Sequence, residues 1–373
     1  MGKLTRGVSV RDRILGLMDV PVTLPASLPV ALAKTHLESF RIAGGSFFIR
    51  SKQCNLNVSS EALGSAFLLP AAALGRRISG SMADQQWLDG AGRILGQAFD
   101  WWGWRAGYPR FQASPSSARA NGVGLAFSLG VDSFYSLFFA DPAPDFLVLA
   151  AGFDVPLERQ EVLDAMCHSV AEIAEATGAQ WALIETDLRK HRLFRKASWE
   201  CTHGGAVAML GHLVSEHCGT FIISSSFEQG KLGPWGSHPD LDFSWSSNAL
   251  RIRHFGDGVS RLEKLRRLMN HPVARTHIQR HLRVCWVAPD ESGNCGRCRK
   301  CLLLRASLEL CEPGFQLKTM PDELILLDAI KSLAPCTNDL VLGFWRDLLG
   351  GENLELDSAI HDLVLRSEEE LGI

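Results

Sequence analysis

At 373 residues, 46% hydrophobic and 21% charged, the chain holds ample apolar material for one large buried core or two ordinary ones. A formal net charge of −3 excludes a generally basic surface that would coat nucleic acid, leaving local patches such as the Arg- and His-rich residues 251 to 283. No run of about eighteen apolar residues exists to span a membrane, and residues 1 to 20 mix Lys3, Arg6, Arg11, Asp12 and Arg13 with apolar positions, unlike a leader peptide.

These features predict a cytoplasmic protein with no membrane association, in which the ten cysteines are thiols or metal ligands. Residues 1–118 carry few clear element signals and are expected to form an N-terminal domain of unassigned role. Within them Phe47, Phe48 and Ile49 read as a strand, and Ala62 to Ala73 is a small apolar run. Trp87, Trp101, Trp102 and Trp104 are read as core rather than as a stacking surface. Ala113 to Ala118 has the composition of a linker.

From residue 119 the pattern alternates between strands and helices. Val123, Leu125 and Phe127 suit a buried parallel strand, while Phe134, Leu137 and Phe138 recur at helical spacing. The intervening Ser128-Leu129-Gly130-Val131-Asp132-Ser133 leaves a strand and opens a helix. Such a turn directs unpaired N–H groups and the positive helix end at one point, which suits an oxyanion such as pyrophosphate. Asp132 could alternatively cap the helix. Strands at Phe146–Ala150, Trp181–Glu185 and Thr220–Ser224 alternate with helices near 157 to 176 and 203 to 217. The class is therefore α/β, a parallel sheet with helices on both faces.

Ligands in such sheets bind beyond the carboxyl ends of strands. That rule selects Gly152, Phe153 and Asp154 for an adenine and ribose, Glu185 to Asp187, and Ser224 to Ser226 for the reacting group. The polar loop 231 to 242 is a candidate substrate loop in which His238 can act as an acid or base. After a strand near 250 to 254, a helix opens at Ser260. On it Arg261 and Lys264, three apart, share a face that can reach polyphosphate.

Cys285, Cys295, Cys298 and Cys301 follow C-x9-C-x2-C-x2-C spacing. Four thiolates complete a closed tetrahedral zinc site, structural because no position stays open; an iron–sulfur cluster is the alternative. A helix over 299 to 310 follows. The tail, 311–373, reads as helices near 321 to 333, 338 to 350 and 357 to 370, with Asp357 as an N-cap and Glu368 to Glu370 in solvent.

The 128–133 segment resembles the PP-loop, Ser-Gly-Gly-x-Asp-Ser, of the ATP pyrophosphatase family, with Leu129 in place of the first glycine. The downstream cysteine cluster makes residues 120–310 similar to the 7-cyano-7-deazaguanine synthase family. The resemblance implies a Rossmann-like fold of the HUP type, with 119–310 as the ATP-binding domain. Ser128, Leu129, Gly130, Val131, Asp132 and Ser133 would then hold phosphates, with Gly152, Phe153, Asp154 and Arg261 completing the nucleotide site. Catalytic roles would fall to Asp132, Ser133, Lys264 and His238. The implied cofactors are ATP, Mg²⁺ and Zn²⁺. The implied reaction adenylates a small-molecule carboxylate or a modified base in a homo-oligomer. Gly236-Ser237-His238-Pro239-Asp240 replaces the Gly-Tyr-Pro-Asp-Cys run expected of that family, which points to another substrate. Two alternatives stay open: thiolation of tRNA through Cys201 or Cys218, and a nucleotide-binding or partner-binding protein without turnover.

Overall fold

Short apolar runs bounded by turn residues form the strands buried on both faces, and they make the centre of the fold. The computed structural model describes residues 22–24, 38–115, 117–285, 293–321 and 325–373. Its strands are β1 (Val22–Thr23), β2 (Glu38–Ile42), β3 (Gly45–Arg50), β4 (Ile78–Asp84), β5 (Arg110–Ser114), β6 (Val123–Ala126), β7 (Phe146–Ala151), β8 (Gln180–Thr186), β9 (Thr220–Ser224) and β10 (Arg251–Phe255). The large sheet has the order β10-β9-β6-β7-β8-β3-β2, and its first five strands are parallel. The chain steps from β6 through β7 to β8, then returns to the other side of β6 for β9 and β10. The order reverses between β6 and β9, the position beyond whose carboxyl ends ligands bind in sheets of this kind.

Side chains of the central strands alternate between two cores. Phe146, Val148, Ala182, Ile184, Phe221 and Ile223 enter one core with the helices Ser60–Ala72, Gln85–Trp102 and Trp199–Leu213. Leu125, Leu147, Leu149 and Ile222 enter the other with the helices Val131–Phe139, Gln160–Thr177, Arg261–Asn270 and Arg299–Cys311. The sheet is thus covered on both faces, as the alternation predicts.

The division expected at residue 118 does not separate two sheets. The hairpin β2–β3 pairs antiparallel with β8 and extends the main sheet. The helix Ser60–Ala72, apolar on nearly every side, lies against Trp199–Leu213. A Cβ built on Gly205 would come within 2.3 Å of Ser65 O, so glycine is required where the two backbones meet. Ala113 and Ser114, read as linker, belong instead to β5, which pairs in parallel with β4 in a small sheet with β1. Ser116 lies outside the described residues. Trp87 is fully buried, while Trp101, Trp102 and Trp104 pack partly buried against that core.

The tail forms the helices Leu326–Lys331, Asp339–Arg346 and Leu354–Leu371 around its own apolar cluster, which includes Leu262 and Leu302 from the main body. Asn353, rather than Asp357, caps the last helix by accepting from Leu356 N. Asp357 accepts from Gly350 N instead, and Glu368, expected in solvent, pairs with Arg346. Among the described residues no helix is long and apolar enough to cross a membrane.

Candidate functional site

The turn after β6 lies where the strand order reverses. The helix Val131–Phe139 begins with Gly130 as an extended N-cap that makes no side-chain cap bond. The N–H of Phe134 donates to Gly130 O at 2.9 Å, as in an ordinary helix start whose earlier N–H groups point forward of the first turn. Leu129 adopts φ 63°, a left-handed conformation that costs a residue bearing a Cβ about 1–2 kcal/mol. Its side chain is 1% exposed, and its carbonyl accepts from Arg283 N at 2.9 Å. The turn therefore carries a residue with a Cβ in the left-handed region, at a position where glycine's freedom would avoid the strain.

Asp132 does not cap the helix. Its carboxylate takes Lys264 Nζ on Oδ1 at 3.2 Å and stands 3.7 Å from Arg261 Nη2 on Oδ2. The Lys264 side chain is 1% exposed, and its ammonium also donates to Ser225 O at 2.6 Å. The predicted shared face of Arg261 and Lys264 is thus turned onto the loop. Ser133 Oγ donates to Gly130 O at 3.0 Å and lies 3.5 Å from Ser128 Oγ.

The other strand ends divide between this site and the scaffold. Gly152 has φ 90°, and a Cβ there would fall 1.7 Å from Thr186 O, so only glycine fits. Phe153 is buried against Trp199, with ring centroids 5.3 Å apart, while Asp154 is exposed. Glu185 binds Arg50 through two 2.7 Å contacts, and Asp187 accepts from Phe48 N at 2.8 Å. These two acids fasten the hairpin to the sheet. Ser224 Oγ is occupied by Ser136 Oγ at 2.8 Å, whereas Ser226 lines a cavity.

The geometry brings Asp132, Ser133, Lys264 and Arg261 together and sets His238 apart from them. His238 caps the short helix Pro239–Asp242, its Nδ1 accepting from Asp240 N at 3.1 Å, and its ring packs 4.7 Å from Trp101. Burial holds its pKa below the usual imidazole range. The neighbouring Asp242, fully buried, accepts from Ser237 Oγ at 2.7 Å and pairs with His254 Nδ1 at 2.7 Å. That knot fixes the 231–242 loop to β10 and was not visible from sequence, because its partners are twelve residues apart with no shared motif.

Two cavities adjoin the site. One of about 240 Å³ is lined by Ser226, Phe227, Lys231, Arg261, Phe344 and Asp347 among others. A narrower cleft of about 30 Å³ is lined by Val131, Arg261, Lys300 and Phe344 with a leucine-rich floor. Ser128 and Gly130 line neither; Ser128 lies open at the surface. The tail helix Asp339–Arg346 forms a wall of both, a role its sequence did not signal. It is fastened there by stacking of Phe344 on Phe227, 5.1 Å between centroids, and by Lys231 on Asp347 at 2.6 Å.

Lys300 keeps exposed surface, yet it stands in a crowded recess that lowers its pKa to about 8. Desolvation is the main cause, followed by Arg261, while Asp154, Cys298 and Asp132 oppose them.

The four predicted cysteines converge so that their sulfurs all lie within 4.8 Å of one another. Contacts of 3.8 Å for Cys285–Cys298, 3.9 Å for Cys295–Cys301 and 3.5 Å for Cys298–Cys301 resemble tetrahedron edges, which measure about 3.8 Å for metal–sulfur bonds of about 2.3 Å. The donor set fits one metal ion such as zinc. Hydrogen bonds from its sulfur neighbours, Cys301 foremost, pull the Cys298 thiol down to about 5, toward the thiolate that a metal requires. Asn294, fully buried, braces the cluster by accepting from Val284 N and Cys285 N and donating to Leu282 O and Thr319 Oγ1. Residues 286–292, between the first two ligands, lie outside the described residues.

Comparison with models of known protein families, with curated proteins and with solved structures finds no match.

Proposed function

We propose that the protein is an ATP-dependent adenylating enzyme of the PP-loop type, with the nucleotide's polyphosphate on the 128–133 turn. The observation that carries this reading is Asp132 gripped between Lys264 and Arg261, at the start of a helix that opens where the strand order reverses. The β8-β7-β6-β9-β10 order also supports a Rossmann-like fold of the HUP type. Turn N–H groups and the two cations would stabilise negative charge on the departing pyrophosphate. A substrate carboxylate oxygen would attack the α-phosphorus as the bond to the β-phosphate bridging oxygen breaks. Both Asp132 oxygens face cations, so Mg²⁺ fits best as an ion carried by the nucleotide phosphates. The four cysteines would hold structural zinc. An iron–sulfur cluster fits less well, because interposed irons and sulfides would spread the thiolates beyond single-ion spacing.

Thiolation through Cys201 or Cys218 is disfavoured, since burial pushes their thiols up to about 11 and about 12. The test supplies metal-replete protein with ATP, Mg²⁺ and a panel of carboxylic acids and measures pyrophosphate. Acceptor-dependent release that Asp132→Ala abolishes supports the reading; release that survives Asp132→Ala defeats the site assignment.

A further inference from the structure

We propose that the larger of the two cavities is the acceptor's pocket, fitted to a carboxylic acid of about benzoate's size and kept open by Gly343. The proposal rests on the nucleotide reading above. It gives the tail, which lies outside the resemblance, the choice of the molecule that is activated.

The cavity of about 240 Å³ lies between the segment after β9 and the tail helix Asp339–Arg346. A cavity of about 150 Å³ holds benzene, so there is room here for a ring or a short branched chain together with its carboxylate. Asp339, Leu340, Gly343 and Asp347 recur at helical spacing along the wall, so one face of the tail helix borders the space. Gly343 is in the middle of that face. Glycine weakens a helix interior relative to alanine. Neither usual reason for it is present, since its φ lies outside the left-handed region and a Cβ would meet nothing within 4 Å, unlike at Gly152 and Gly205. A larger residue would reach into the cavity, and glycine leaves that space unfilled.

The charges on the wall select the occupant. Asp347 and Glu228 pair with Lys231 at 2.6 and 3.1 Å, and Asp339 pairs with Arg346 at 2.8 Å. Arg261 differs, because among the described residues its guanidinium makes no hydrogen bond: Asp132 stands 3.7 Å away, and the group lies 5.4 Å over the Phe344 ring. Its planar donors can take a carboxylate through two parallel bonds. Phe344, the Phe227 ring stacked on it and Leu340 give the body of the acid an apolar wall. Arg261 also lines the narrow cleft with Val131, which opens the helix after the phosphate turn. A carboxylate held by Arg261 is therefore presented beside the turn, where attack on a bound nucleotide requires it.

The test gives full-length, metal-replete protein two probes, benzoate followed by ligand-observed NMR and a non-hydrolysable ATP analogue followed by calorimetry. Gly343→Phe and Arg261→Met are compared with the unaltered protein, and melting temperatures confirm folding. Benzoate should bind the unaltered protein. Gly343→Phe, which fills the cavity, should weaken benzoate about tenfold or more while the analogue binds within about threefold of its original affinity. Arg261→Met should weaken benzoate about tenfold through loss of the charged pair. Both probes should bind together, since acceptor and nucleotide occupy the site at once. Absence of benzoate binding overturns the proposal, as does benzoate binding that Gly343→Phe leaves unchanged, and either result leaves the nucleotide reading standing if the analogue binds. A loss of about tenfold in analogue affinity in saturating benzoate overturns it too, because the acid would then lie in the nucleotide's place. Where Gly343→Phe does not fold, Arg261→Met decides, and unchanged benzoate affinity in that variant overturns the proposal. Failure of the unaltered protein to bind the analogue removes the nucleotide reading and the acceptor role with it, whatever benzoate does.

Discussion

The backbone N–H of Arg283 donates to the carbonyl of Leu129 at 2.9 Å, so the segment leading into Cys285 is bonded directly to the candidate phosphate turn. Asn294 braces the same segment from the other side through Leu282, Val284 and Cys285. The sulfur cluster and the turn are thus neighbours through two residues of backbone.

Metal removal should consequently be felt at the turn. Structural zinc contributes folding energy outright, on the order of 10 kcal/mol of apparent binding energy in small domains, and four unligated thiols would no longer hold residues 282–285 in place. Chelation, or Cys298→Ser, is expected to lower the melting temperature and raise amide exchange across residues 128 to 133 as well as 293 to 301. Exchange that rises around the cysteines alone would show that the Arg283–Leu129 bond does not transmit the change.

Lys264 offers a test of how the turn is held. The ammonium is almost fully buried and serves both Asp132 and Ser225 O. Breaking a buried pair costs about 3–5 kcal/mol, but Asp132 keeps some solvent contact and retains Arg261. Lys264→Met should therefore destabilise by about 2 kcal/mol, read as a lower urea midpoint at unchanged slope. Pyrophosphate binding should fall further than that loss of stability explains.

Leu129 sets two effects against each other. Leu129→Gly relieves a left-handed strain of about 1–2 kcal/mol, whereas deleting a fully buried leucine side chain costs about 3–5 kcal/mol. Burial wins, and the variant should be less stable by about 2–3 kcal/mol although its backbone suits the turn better. A variant as stable as the parent would mean that the φ strain is larger than this balance allows.

Legibility followed the range of the interactions. The βαβ units from β6 to β9 could be read because a buried parallel strand is a continuous apolar run and its helix follows at once. The cysteine cluster was legible because its ligands are close in sequence. The β2–β3 hairpin's place beside β8 was not, since it depends on Arg50–Glu185 and Phe48–Asp187 bonds spanning well over a hundred residues. β4, Ile-Ser-Gly-Ser-Met-Ala-Asp, lacks apolar alternation, and its sheet was missed for that reason. At the site, Asp132, Lys264 and Arg261 were named and converge. Lys300 and Phe344 went unnamed because a lysine in a cysteine turn and a phenylalanine in a tail helix carry no local signal of the cleft they share.

Acid should destabilise the protein through its histidines. His191, His203, His212, His238, His277 and His281 all have pKa values lowered from 6.5, in each case chiefly because burial penalises the charged ring. The unfolded chain then takes up protons at a pH where the fold does not, so stability is greatest above 6.5 and falls as pH drops from there toward the folded values. Each such histidine steepens the fall by up to about 1.4 kcal/mol per pH unit. His212, whose Nε2 lies 2.8 Å from Trp245 O, and His203, at 3.1 Å from Trp199 O and with its ring 5.8 Å from that of Trp235, are enclosed where the helix Trp199–Leu213 meets these tryptophan-bearing segments. Urea midpoints measured at pH 7.5, 6.5 and 5.5 should decline mainly over the lower interval, and His212→Gln should flatten that decline even as it lowers stability at neutral pH. A midpoint constant down to pH 5.5 would mean that these rings gain protons in the folded protein as readily as in the unfolded chain.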